Sequence, residues 1–155
     1  MGLYFEDFAG RAPIESRGRT IAEADIVTFA GLTGDVSELH TSEEYAKTTP
    51  FGRRIAHGAL VFGMSIGLAT RTNLLDDTLI AFTNVDKLRF VAPVFIGDTI
   101  RVAKRVMDRK EIDAARGKVV FETRVVNQRG ELVLVYLDTM LLKRRPTTAG
   151  SAHPS

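Results

Sequence analysis

At residues 57–70 the chain reads His57-Gly58-Ala59-Leu60-Val61-Phe62-Gly63-Met64-Ser65-Ile66-Gly67-Leu68-Ala69-Thr70. It belongs to an uncharged run from Ile55 to Thr70, in which apolar side chains fall on nearly every side of a helix. A helix that is apolar all round is surrounded by protein. The run is shorter than a membrane span of roughly 20 residues, so it predicts a buried central helix and no membrane association.

The chain beyond Asp77 has the composition of β-strands. Five segments are rich in Val, Ile, Leu, Phe and Thr: Leu79 to Thr83, Asp86 to Val91, Thr99 to Arg109, Lys118 to Asn127 and Glu131 to Lys143. Turn residues separate them, among them the hairpin signal Asn127-Gln128-Arg129-Gly130. The sequence therefore predicts an α+β fold, in which an antiparallel sheet wraps around a long central helix.

Two shorter helices are predicted before the central one. A capping-box pattern from Thr20 to Glu23 starts a helix over residues 21–33 that stops at Gly34. The same pattern from Thr41 to Glu44 starts a second helix that runs through about Lys47.

The remaining segments lie at the two ends of the chain. Met1 to Pro13 is predicted to form an irregular edge with its aromatic side chains tucked onto the core. Residues 146–155 are rich in Pro, Thr, Ala and Ser and are expected to form a disordered tail. No repeat or linker divides the chain, so residues 1–145 are predicted to be a single domain.

Composition excludes several classes of protein. The 155 residues contain no cysteine, which excludes disulfides and thiolate chemistry and agrees with a cytoplasmic enzyme. The formal charge is only +2, and no basic stripe with interleaved aromatic residues suggests a nucleic-acid partner. Met1 to Asp7 is acidic and aromatic where a signal peptide is basic and then apolar, so we expect a cytoplasmic location.

The residues that suggest chemistry are Asp35 and His40. Five residues apart, they cannot share one face of a regular helix or strand, so only a bend brings them together. Gly34 allows such a bend, and Ser37 is a turn former. A carboxylate that converges with an imidazole can activate water near neutral pH without a metal.

Other interpretations of these residues remain open. An Asp and a His at such positions can also be a helix cap and a solvated turn residue. His57 either lines a pocket or is a buried residue at a helix start whose ring is satisfied by the backbone. A metal site made of Asp35, His40 and His57 is disfavoured, because the spacing matches no familiar ligand set.

Several segments of the chain form a recognisable set: Phe29-Ala30-Gly31-Leu32-Thr33-Gly34-Asp35, His40, Ala46, Ile55-Ala56-His57-Gly58 and Phe90-Val91-Ala92-Pro93-Val94-Phe95-Ile96-Gly97-Asp98. Together they resemble the MaoC-like dehydratase family, the (R)-specific enoyl-CoA hydratases of the hydratase-2 type. The resemblance extends from about Tyr4 to Lys143 and implies a hot-dog fold built as a homodimer. Ser37 and Glu38 stand where the family usually has Asn and Pro.

The resemblance also implies an activity. It is reversible hydration of a trans-2-enoyl-CoA, or dehydration of an (R)-3-hydroxyacyl thioester, with Asp35 and His40 as catalytic residues and no cofactor. Gly58 begins the central helix, where backbone N–H groups lack partners, and by similarity its N–H is the oxyanion contact. Val36, His57 and Ala59 are assigned to substrate binding. The substrate is carried by coenzyme A or by an acyl carrier protein.

Two alternative functions stay open on the sequence. One is a hot-dog thioesterase, in which the acid would direct water at the carbonyl carbon. The other is a non-catalytic subunit that binds acyl thioesters, since Ser37 and Glu38 alter the loop. The proximity of His40 to Asp35 favours the hydratase.

Overall fold

The computed structural model describes residues 2–146, so the predicted tail lies outside the described residues from residue 147 onward. A 3₁₀ helix spans Phe5–Phe8. The α-helices are α1 (Glu23–Thr33), α2 (Glu38–Thr41), α3 (Glu43–Lys47) and α4 (Gly58–Thr70). The strands are β1 (Ile14–Glu15), β2 (Arg19–Thr20), β3 (Leu79–Phe90), β4 (Thr99–Glu111), β5 (Arg116–Val126) and β6 (Leu132–Lys143).

All the strands join one antiparallel sheet in the order β1-β4-β5-β6-β3, and β2 adds to β4. Consecutive strands β4, β5 and β6 form a meander. β3 pairs with β6 at the far edge, so the connection from β3 to β4 passes across β6 and β5. The predicted α+β class with an antiparallel sheet is confirmed.

The prediction of two separate strands between Leu79 and Val91 is wrong. One strand, β3, covers this region, and its pairing with β6 shifts register three times. Lys87, with a φ of 52°, lies in the shift between Asp86 and Arg89. Such bulges change the side-chain alternation without ending the ladder, which is why the sequence pattern suggests a break.

Two elements cover one face of the sheet. Helix α4 packs on one part of it in a buried cluster that includes Leu60, Val61, Met64, Leu68, Val102, Val125 and Leu134. The 3₁₀ helix packs its two phenylalanines on the adjoining part, against Val119, Phe121, Met140 and Leu142. Phe5 and Phe8 are buried, as predicted for the N-terminal segment.

Helix α4 is less enclosed than the sequence predicts. Its residues Ala59, Gly63, Gly67 and Thr70 are exposed and form a stripe along one side. A Cβ added at Gly63 or Gly67 would meet no atom within 4 Å, so these glycines pack against nothing in the described chain. No helix within residues 2–146 has the length and apolarity to span a bilayer.

The predicted capping box at the start of α1 is wrong. Thr20 lies in β2, where its hydroxyl is 2.7 Å from that of Thr99. The helix begins two residues later, at the cap residue Ala22, whose N–H donates to the Asp25 carboxylate at 2.8 Å. The acid of the third helical residue therefore supports the helix start without a hydroxyl partner.

The second predicted capping box is also shifted. Thr41 ends α2, and the cap of α3 is Ser42, whose hydroxyl accepts the Tyr45 N–H at 3.2 Å. Consequently His40 lies inside a one-turn helix and not on a free loop before the cap.

Candidate active site

The bend predicted at Gly34 directs the chain toward α4. Gly34 has a φ of 78°, the left-handed conformation that glycine adopts readily, and its N–H donates to the Ala30 carbonyl to close α1. The next N–H, of Asp35, donates to the hydroxyl of Thr33 at 3.2 Å. The Asp35 side chain is exposed at the end of this turn.

His40 is presented by the short helix α2. Ser37 is its cap residue and Glu38 its first residue. The first helical position suits Pro, which the family usually has here, and it also suits an acid because the helix dipole is positive there. Glu38 is therefore compatible with a helix start at this position.

The tautomer of His40 follows from its partner. Its Nδ1 lies 2.7 Å from the carbonyl oxygen of Ile55, which can only accept. Nδ1 therefore carries the proton in the neutral ring, and Nε2 presents a lone pair. This is the arrangement that a general base requires.

His57 lies beneath this pair, only 2% exposed. Its Nε2 donates to the backbone carbonyl of Asp35 at 2.9 Å. Its ring stacks on His40 with centroids 3.9 Å apart, and Phe29 packs against it at 4.8 Å. Nδ1 of His57 is buried without a hydrogen-bond partner within the described chain. The ring thus contacts both members of the predicted catalytic pair.

The structure brings the three groups together. One carboxylate oxygen of Asp35 and one nitrogen of each imidazole lie within 4.8 Å of one another. Two groups that bind the same water, each at about 2.8 Å, are separated by roughly 4.5–5 Å. The spacing therefore fits one water held between the carboxylate and an imidazole.

A metal ion is a poorer occupant of this cluster. The two imidazole planes are nearly parallel, 28° apart, and their centroids are separated by 3.9 Å. Lone pairs of stacked rings point in similar directions, so they do not converge on one ion about 2.1 Å from each nitrogen. The stacking favours proton transfer over ligation.

Gly58 is the first residue of α4, and its N–H has no acceptor among residues 2–146. Free N–H groups at a helix start and the positive end of the dipole suit a developing negative charge. A Cβ at this position would meet the Phe90 ring at 2.6 Å. Only glycine lets that ring approach the helix start.

The other predicted binding residues lie beside these groups. Ala59 and Gly58 line an open cavity of about 510 Å³ whose walls are mainly apolar, including Phe51, Ile55, Phe90, Val91 and Pro93. Val36 follows Asp35, is 65% exposed, and its carbonyl accepts the Thr41 hydroxyl. Their role in substrate binding remains a prediction.

A family model described as the MaoC like domain matches residues 5–128. This chain belongs to the MaoC-like dehydratase family. It is 39% identical over 129 residues to an (R)-specific enoyl-CoA hydratase of Rhodospirillum rubrum, and the match covers 77% of this chain and 86% of that protein. The resemblance that the motifs indicated is thus confirmed.

Solved structures agree with the assignment. The monoamine oxidase regulatory protein of Archaeoglobus fulgidus superposes with a TM-score of 0.87 at 41% identity, covering 94% of this chain and 97% of that chain. A Mycobacterium tuberculosis protein with a double hot-dog fold gives a TM-score of 0.81 at 20% identity, covering 99% and 47%. The predicted hot-dog fold is confirmed.

Sequence reasoning missed two neighbours of the candidate site. Ile55 contacts His40 through its backbone carbonyl, which any residue type could supply, so the sequence carries no signal for it. Phe90 lies 32 positions after Gly58 and covers it from β3. The glycine itself signalled a close approach, but not which side chain approaches.

Proposed function

We propose that this protein catalyses the reversible hydration of a trans-2-enoyl thioester. The observation that carries the proposal is the convergence of Asp35 and His40 within water-bridging distance of each other, next to the helix start at Gly58. The relationship to an (R)-specific enoyl-CoA hydratase supports it, and so does the free lone pair that the Ile55 carbonyl leaves on His40.

The chemistry needs a base, a proton source and a place for negative charge. One member of the Asp35–His40 pair accepts a proton from the held water while the water oxygen forms a bond to the β-carbon of the substrate. The electron pair of the double bond moves toward the thioester oxygen, and the Gly58 N–H donates a hydrogen bond to that oxygen. The pair then returns a proton to the α-carbon, which restores its starting charge.

The acyl part of the substrate is assigned to the cavity beside Gly58. Its walls are largely apolar, and it opens next to the proposed oxyanion contact. Apolar walls with few polar groups are typical of sites for hydrocarbon ligands. Ala59 and Phe90 border this cavity and are the first residues to vary when chain-length preference is measured.

We further propose that two copies pair through the edge strand β3. This strand bonds to β6 on one side only, and it exposes large apolar residues: Leu79, Ile80, Phe82, Leu88 and Phe90. An exposed apolar edge strand is a template for pairing unless another chain covers it. Sedimentation equilibrium at micromolar concentration should show a dimer, and a stable, active monomer would refute this arrangement.

One assay tests the activity. A short enoyl-CoA is supplied, and loss of the conjugated thioester absorbance is followed separately from release of free thiol. Hydration predicts loss of the chromophore without thiol and a 3-hydroxyacyl product of (R) configuration. Stoichiometric release of thiol would instead show a thioesterase, and no change in either signal would support a binding subunit.

A further inference from the structure

Arg54 binds carboxylates on two helices at once. Its Nε donates to the Glu43 carboxylate of α3 at 2.6 Å, and its Nη1 donates to the Glu23 carboxylate of α1 at 2.7 Å. The Arg54 side chain is 17% exposed, the lowest value among the ion-paired arginines of residues 2–146. A planar guanidinium suits such a link, because its donors point in fixed directions. Arg54 thus ties α1 and α3 to the segment that precedes α4.

The next residue in the chain, Ile55, lies between the sheet and the candidate site. Its carbonyl oxygen is 2.7 Å from Nδ1 of His40. On the other side, Ile55 forms an isolated antiparallel bridge with Phe95. The Ile55 N–H also donates to the Leu39 carbonyl, but at 3.4 Å this bond is long. The carbonyl that fixes the tautomer of His40 is therefore one residue away from Arg54.

The two helices that Arg54 binds flank the segment that carries Asp35 and His40. Asp35 lies two residues after the end of α1, and His40 lies three residues before Glu43, the first residue of α3. No residue from Gly31 to Tyr45 is buried. A one-turn helix without a buried side chain gains little from packing and has little stability of its own. The position of this segment therefore depends on polar contacts, and Arg54 makes one to each flanking helix.

These ion pairs are expected to affect geometry more than stability. The carboxylate side chains of Glu23 and Glu43 are 59% and 46% exposed, and exposed ion pairs add little to the free energy of unfolding. The bond between the Ile55 carbonyl and His40 is more sensitive. A displacement of about 1 Å would stretch it beyond the limit of about 3.2 Å for a good N–H···O hydrogen bond. The main consequence of losing Arg54 should be a less fixed imidazole ring.

We propose that Arg54 is a positioning residue of the candidate active site. By binding Glu23 and Glu43, it holds the Ile55 carbonyl against Nδ1 of His40, which keeps the lone pair of Nε2 available to the reacting water. The inference rests on the proposed function, in which the Asp35–His40 pair accepts a proton from that water. Arg54 itself touches neither the substrate nor the water.

The first test determines the tautomer of His40 and does not depend on turnover. Two-bond ¹H–¹⁵N correlations distinguish an imidazole proton on Nδ1 from one on Nε2, and the variant His40→Gln identifies the signals of His40. At about pH 8, where an ordinary imidazole is neutral, the wild-type protein should show the Nδ1–H form. In Arg54→Gln both tautomers should be populated. The control Arg19→Gln breaks a 2.7 Å ion pair with Asp25, which also lies in α1, and should keep the wild-type signals.

The second test is the rate of hydration. In Arg54→Gln, kcat should fall about tenfold, the effect of one modest hydrogen bond. KM should stay within about twofold, because no substrate contact is removed. Arg54→Lys should recover part of kcat, since an ammonium can bind one of the two carboxylates. Glu43→Gln should lower kcat more than Glu23→Gln, because Glu43 is close to His40 and Glu23 lies at the far end of α1. Arg19→Gln should keep the wild-type kcat.

Three results would contradict parts of this scheme. A wild-type tautomer and a wild-type kcat in Arg54→Gln would overturn the inference. A lower melting temperature with unchanged turnover per folded molecule would also overturn it, because that is the result for a purely structural ion pair. A changed tautomer, in a protein whose wild-type form does not hydrate enoyl thioesters, would overturn the proposed reaction and leave the positioning of His40 by Arg54 intact. If Arg54→Gln does not fold, the same comparisons are made on Glu43→Gln, which removes only one of the two ion pairs.

Discussion

Two polar clusters of this protein contrast in how completely their atoms are paired. In the sheet, Lys104 donates to the buried carboxylate of Asp138 at 2.5 Å, and the Thr123 hydroxyl donates to its other oxygen. At the start of α4, the Asp35 carboxylate is exposed, and the lone pair of His40 has no assigned partner. Both clusters bring polar side chains together, but only the second leaves acceptor atoms free.

The difference is the one expected between a structural network and the proposed catalytic one. Burial lowers the pKa of Lys104, and the adjacent Asp138 carboxylate acts in the opposite direction. With both charges buried and paired, such a pair can fix strand register and leaves no acceptor atom free for a ligand. Asp35 is exposed and His40 is half-buried, and such incomplete pairing is what the proposed catalytic role would require.

The largest effect is expected from Asp35→Asn and His40→Gln. Each should lower kcat about a hundredfold to ten-thousandfold, because each removes a group that holds or deprotonates the same water. The double variant should be little worse than either single one, since groups that act as a unit are not additive. Melting temperature should change little, because both replacements are similar in size and can still hydrogen-bond.

Rate and melting temperature must be measured on the same purified samples. If the two residues were only a turn former and a cap, stability would fall by about 1 kcal/mol while turnover per folded molecule stayed normal. Unchanged turnover in either single variant would remove the distinction between the two clusters.

The reverse pattern is expected for Lys104→Met. It leaves Asp138 as an uncompensated buried charge, so the free energy of unfolding should drop by about 3–5 kcal/mol. Turnover per folded molecule should be unchanged. The double variant Lys104→Met/Asp138→Leu should regain much of the loss, because no buried charge remains. Urea titration measures all three proteins, and a selective loss of turnover in the single variant would assign chemistry to the sheet cluster.

The pattern of apolar residues in the sequence predicted most of the fold. The run from Ile55 to Thr70 predicted the central helix, and the apolar segments after Asp77 predicted the antiparallel sheet. Three features of the fold could not be predicted from the local sequence pattern. The crossing that places β3 beside β6 depends on long-range packing, the bulge at Lys87 imitates a strand end, and the solvent-facing stripe of α4 reflects which sides the sheet covers.

The candidate site could be predicted only where a side chain suggests the chemistry. Asp35, His40 and Gly58 stand out by residue type and spacing, and the structure brings the first two together near the third. The carbonyl of Ile55 and the ring of Phe90 do not stand out in the sequence. Any residue type can supply a backbone acceptor, and composition does not distinguish one phenylalanine among nine.

A smaller effect concerns Tyr136, which borders the sheet cluster and bonds to Ser65 at 2.8 Å. Burial raises the pKa of its phenol to about 12, well above the value of about 10 for an unfolded chain. Its stabilising contribution is therefore complete below pH 10 and is lost as the pH rises toward 12. Between pH 9 and pH 11.5 the loss should be about 2 kcal/mol.

Urea unfolding at those two pH values checks this. Tyr136→Phe should show a smaller fall in stability than the wild type, since it cannot ionise. Tyr45→Phe, at a position 46% exposed, is the control and should fall as the wild type does. Identical falls in all three proteins would mean that the buried phenol does not contribute to alkaline unfolding.

The smallest effect is expected at His57, which shares features of both clusters. It is buried like the sheet residues, yet it holds the Asp35 carbonyl and supports the ring of His40. His57→Phe keeps a flat ring under His40 but loses the hydrogen bond, so kcat should fall about tenfold, the equivalent of one modest hydrogen bond. Stability should change little, because the replacement also removes the unpaired Nδ1. His57→Gln places an amide nitrogen near the position of Nε2 and should recover part of the rate.

A residue with a purely structural role would give the opposite result: Phe would lower the melting temperature and leave kcat and its pH profile unchanged. Recovery by Gln but not by Phe would show that His57 acts by positioning Asp35.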